Sequence, residues 1–127
     1  MYALIINFFI AILWIVSGLC FLRAPAASAR HLGYQELGPD ALVDVRASFG
    51  GVCLATGLGS IGLSLVGCLD KALWLQIILL SGYAGGRAIG LFLKTAGPSP
   101  HRYWLAAEIA LLILAISALV LSRGGLS

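Results

Sequence analysis

Charge is what this sequence has least of. Eight Lys and Arg plus five Asp and Glu make 10% of its 127 residues, while 61% are hydrophobic. A soluble domain carries about 25% charged residues, so these few cannot cover a globule with a water-compatible surface. A water-soluble fold is excluded. Disorder is excluded too, because disordered chains are poor in apolar residues. The 16 glycines follow no period of three, so the chain is not collagen-like. Cysteine is scarce, and Cys20, Cys53 and Cys68 form no C-x-x-C. That argues against a thiol-disulfide oxidoreductase and leaves them as small apolar residues at helix contacts. There is no H-E-x-x-H, P-loop or G-x-S-x-G, and no histidine inside an apolar run to hold a haem. His31 and His101 stand alone in connecting segments, so no metal site is expected. The composition gives no sign of a bound cofactor. The net charge of +3 bears on membrane topology rather than on nucleic acid, since no segment is basic enough for that partner.

What the chain does have is long apolar runs. The whole chain, 1–127, reads as one integral membrane domain with spans at about 2–22, 43–69, 72–93 and 102–122. Each approaches the 20 or so residues that a bilayer-crossing helix needs. The fold class expected is all-α, a four-helix transmembrane bundle. Met1 to Leu22 carries no Lys or Arg at its start and is too long for a signal peptide, so it is read as a retained helix. Asp70-Lys71 leaves room only for a tight antiparallel turn, and Pro98 and Pro100 separate the last two spans. The long connection 23–42 has Asp40 after Pro39 as a helix cap, and Leu32, Tyr34 and Leu37 to hold a short interfacial helix. Arg23, Arg30, Arg46, Lys94 and Arg102 fall on one face, and Lys71 and Arg123 on the other. The positive-inside rule makes the first face cytoplasmic and points both termini outward.

In lipid, close approach and polar contacts must hold helices together. Gly82, Gly86 and Gly90 recur every four residues, as do Ala47, Gly51, Ala55 and Gly59. These stripes predict contact between spans two and three, or a homo-oligomer. Gln76, Leu80, Tyr83 and Arg87 share one helical face; Arg46, Gly50, Cys53, Gly57, Ser60 and Ser64 share another. Both should point inward. Asn7 and Gln76 read as interhelical hydrogen-bond formers, and Trp14, Trp74 and Trp104 as anchors and packing.

Arg87 and Glu108 interrupt otherwise uncharged spans, at matching depths. Such charges face partners and often mark function. Asp44 and Arg46 enter span two on the same side, so four charges converge from three helices. A carboxylate beside an arginine can move a proton or activate water while the arginine holds an oxygen. Epoxide opening and isomerisation lie within reach; electron transfer does not. In that reading Asp44 or Glu108 is the catalytic base, Arg46 and Arg87 clamp the head group, and Tyr83 lines the pocket. The same charges serve equally well as a neutral ion-pair network that fixes helix register.

Gly18 and Pro25 close span one, and Arg46-Ala47-x-x-Gly50-Gly51 opens span two. Arg87 is flanked by glycines, Gly97-Pro98 follows, and Glu108 comes early in span four. On these residues the chain resembles a family of small bacterial four-helix membrane proteins known only as a domain of unknown function. The resemblance implies a four-helix protein of the bacterial inner membrane and supplies no activity. Small multidrug transporters fit worse, since their essential Glu lies in the first span. The function expected is binding of a membrane lipid or lipophilic small molecule in a polar pocket, with non-redox acid–base chemistry of isomerase or epoxide-hydrolase type. The alternative is a non-catalytic transporter subunit or assembly partner.

Overall fold

The computed structural model describes residues 1–93 and 99–124. Lys94, Gly97 and Pro98, used above for topology and family likeness, lie outside the described residues. Among those described there is no strand. Six α-helices follow in order: α1 (Tyr2–Arg23), α2 (Pro25–His31), α3 (Pro39–Val45), α4 (Val52–Leu65), α5 (Leu69–Leu93) and α6 (His101–Gly124). A π-helical turn, Arg46–Gly51, joins α3 to α4, so Pro39–Leu65 is one helix. That helix, α1, α5 and α6 are long and apolar enough to cross a membrane. The all-α, four-helix architecture read from the sequence is the one observed.

The ends follow local chemistry. Pro25 starts α2 and Pro39 starts α3, each in the first turn where its missing N–H costs nothing. Gly38, not Asp40, caps α3; Asp40 lies inside the first turn, where its charge faces the positive end of the helix dipole. The tight turn falls at Val66–Cys68, ahead of Asp70-Lys71. Gly67 there adopts φ +78°. Its N–H reaches Ser64 O at 3.1 Å, and Cys68 N–H reaches Leu63 O at 2.8 Å. This paired closure of the last helical carbonyls needs a left-handed residue, which glycine supplies without strain.

The four long helices form an up-and-down ring, α1 beside α4, α4 beside α5, α5 beside α6 and α6 back against α1. Glycine packing follows the expected stripes only in part: α4 does pack on α5, where a Cβ on Gly59 would stand 3.6 Å from Leu75 Cδ2. The tightest approach is between α1 and the Pro39–Leu65 helix, at Gly18, Gly50 and Gly57. A Cβ on Gly57 would stand 2.6 Å from Ala11 O, and one on Gly18 would stand 2.6 Å from Leu54 N. Gly82, Gly86 and Gly90 face open space. Their stripe is on the outer side of α5 because the larger Gln76, Leu80 and Ala84 take the inner side.

A polar layer crosses the bundle one to two turns from the termini. Gln76 Nε2 donates to Asn7 Oδ1 at 2.6 Å and to Asn7 O at 3.1 Å. Asn7 Nδ2 donates to Ser64 Oγ at 2.7 Å. Three helices are thereby tied through groups that lipid could not satisfy. Around this layer Ala3, Ile10, Leu73, Ile77, Leu80, Ala115, Ala118 and Leu119 form the core. Side chains fill this half of the bundle. The other half is hollow.

Candidate functional site

Beyond Ile10 and Leu80 the helices enclose a cavity of about 610 Å³. Its walls come from α1, the π turn, α4, α5 and α6. Ser28 and His31 of α2, with Leu32 just after it, lie across its end. Two bonds hold α2 there: Ser28 Oγ donates to Cys20 O at 3.1 Å, and Trp104 Nε1 donates to His31 O at 3.3 Å. Leu13, Val16 and Cys20 of α1 and Trp104 and Ala107 of α6 line the cavity and are also exposed. The cavity therefore opens sideways, along the seam of α1 and α6.

One wall is aromatic. Phe21 stacks on Phe49 with ring centroids 5.2 Å apart; Phe49 meets Tyr83 at 6.2 Å and Tyr83 meets Trp14 at 5.6 Å. All four rings line the cavity. Phe49 reaches it from the π turn, whose Ser48 O accepts the Tyr83 hydroxyl at 3.3 Å. A π turn holds one more residue than an α turn and is frequent at functional sites.

Opposite charges meet inside. Arg87 Nε donates to both Glu108 oxygens at 3.1 and 3.0 Å, and Nη2 donates to Oε1 at 2.8 Å. The two side chains are only 12% and 13% exposed. Such a fork of charge-assisted bonds is both strong and directional. Nη1 of Arg87 lies 2.6 Å from His101 Nδ1. A guanidinium has no lone pair to offer, so His101 accepts there and its Nδ1 carries no proton.

Tyr83, Arg87 and Glu108 thus come together on the cavity. Asp44 and Arg46 do not. Both are exposed, neither lines the cavity, and Arg46 Nε donates to Leu22 O at 3.4 Å. The π turn explains the separation. Its extra residue breaks the 3.6-residue phase that placed Arg46 on the face of Gly50, Cys53, Gly57 and Ser60, and only those four are buried. The walls are also mainly apolar, where a polar pocket was expected. Two contributors were read otherwise in the sequence, His101 as a lone histidine and Trp104 as an anchor. His101 precedes Glu108 by seven residues, two turns on one face. Trp104, Ala107, Glu108 and Leu111 form the i, i+3, i+4, i+7 pattern of a helix face. Phe49 carried no such signal, because its direction depends on the π turn.

Among the described residues no group of His, Cys, Asp and Glu is arranged to hold a metal ion. No curated protein and no solved structure matches the chain. A family model described as a domain of unknown function (DUF4345) matches residues 3–119, a stretch that includes every residue lining the cavity, and the chain belongs to that family.

Proposed function

We propose that the protein binds a lipophilic molecule in this cavity, with the polar end of the ligand against Tyr83, Arg87 and Glu108. The observation that carries the reading is an apolar cavity of about 610 Å³ that ends on a nearly buried ion pair. That volume falls within the range of small-molecule sites, which are lined mostly by apolar and aromatic groups with a few polar ones. The lateral opening supports access from the lipid side. The protein acts in the bacterial inner membrane, with both termini outward, as the bias of Arg23, Arg30 and Arg102 favours.

For acid–base chemistry Glu108 is the base, since Asp44 lies off the cavity. Both of its oxygens are held by Arg87, so a substrate must first draw the pair apart. That closed fork favours a second reading, in which the pair is a structural pin in a non-catalytic membrane component.

Native mass spectrometry of the protein taken from its membrane separates the two. The wild type is compared with Arg87→Ala and with Ala107→Trp, which sets a bulky ring in the lateral opening of the cavity and keeps both charged side chains. A discrete small molecule held by the wild type and lost from both variants supports binding. Bulk phospholipid alone in all three refutes it.

A further inference from the structure

We infer that the cavity selects an uncharged, flat, unsaturated lipophile that presents a carbonyl-type oxygen to Arg87. The inference rests on the binding reading above and names the class of ligand.

Two independent features carry it. The first is charge balance. Arg87 and Glu108 neutralise each other, and the fork leaves neither as a free counter-ion. A carboxylate or phosphate brought into this apolar cavity would lose its hydration and lie beside the Glu108 oxygens. A ligand cation would find those oxygens already taken. Burying a charge without a partner is costly, whereas a neutral acceptor loses little. Arg87 retains donors for such an acceptor. Of the five N–H bonds of a guanidinium, Nε and Nη2 each direct one to Glu108 and Nη1 directs one to His101. Among the described residues the other two N–H bonds have no protein partner, and Arg87 lines the cavity, so they can serve a carbonyl oxygen.

The second feature is the wall. Phe21, Phe49, Tyr83 and Trp14 run as a continuous row of rings, and Trp104 stands on α6. A saturated acyl chain gains only area from such a surface. A conjugated plane also gains from offset or edge-to-face ring contacts.

The test uses three probes on delipidated full-length protein in detergent: methyl retinoate, retinoate and methyl palmitate. The first two share one conjugated body and differ in head charge. The first and third share a neutral ester and differ in flatness. Binding is read by native mass spectrometry and by quenching of tryptophan fluorescence, with Ala107→Trp as the blocked control. Methyl retinoate should bind about ten-fold or more tightly than either of the others, a difference of roughly 1.4 kcal/mol. Phe49→Leu should lower its advantage over methyl palmitate. Retinoate binding as tightly overturns the charge argument, and methyl palmitate binding as tightly overturns the aromatic one; the binding reading survives either result. If no probe binds the wild type more than Ala107→Trp, the binding reading fails and this inference falls with it.

Discussion

Gly57 is the position where one added carbon should do most harm. An alanine Cβ there would lie 2.6 Å from Ala11 O, 2.6 Å from Ile15 Cγ1 and 3.1 Å from Ile15 N. Ordinary contact begins at 3.4 Å, so 3.4 Å less 2.6 Å leaves 0.8 Å to be found. Ile15 Cγ1 sits on a branched Cβ and turns aside only by leaving the rotamer that a helix prefers. The Ala11 carbonyl cannot, because it belongs to the backbone of α1. The helix pair must therefore open, and the Gly18 contact, where a Cβ would meet Leu54 N and Gly50 O, opens with it. Overpacking of this kind costs about 1–3 kcal/mol. Gly86→Ala is the matched control. It adds the same carbon to open space, and gains up to about 1 kcal/mol from helix propensity. Unfolding in mixed micelles of rising SDS fraction should move the two midpoints in opposite directions. Equal midpoints would refute the account of how α1 and α4 approach.

Four further outcomes follow from the same geometry. Gln76→Leu removes both bonds to Asn7 and should cost about 0.6–1.7 kcal/mol in the same unfolding assay, the range of interhelical hydrogen bonds in membranes. Arg87→Gln or Glu108→Gln alone leaves a nearly buried charge unpaired and should cost about 3–5 kcal/mol. The double Gln variant should recover most of that loss yet fail to retain ligand in native mass spectra; retention would make the pair a structural pin only. Asp44→Asn and Arg46→Ala, both off the cavity, should leave ligand retention unchanged and stability within about 0.5 kcal/mol.

The fold was legible where periodicity and solvent set it. Four apolar runs of bilayer length with few charges announce the four helices, because few other folds tolerate so little surface charge. Arg87 and Glu108 were legible as partners because a regular rise places them at one depth. Asn7 and Gln76 were legible because an amide in lipid must find another polar group. Three things were not. The Gly82-Gly86-Gly90 stripe is a stronger pattern than Gly18 with Gly50 and Gly57, yet the latter make the contact. Spacing along one helix does not say which neighbour it meets. The π turn at Arg46–Gly51 breaks the regular phase on which the placement of Arg46 depended, and Asp44 was placed only by its depth. The cavity itself is a difference between two halves of a bundle. Filled and hollow halves draw on the same residue types.

Determining the structure of the protein extracted with its native lipids tests the central claim most directly. The account predicts ordered non-protein density between α1 and α6, flat against Phe49 and Tyr83, with one end within hydrogen-bond distance of Arg87. A cavity closed by its own side chains, with α1 and α6 in contact along their full length, would contradict it.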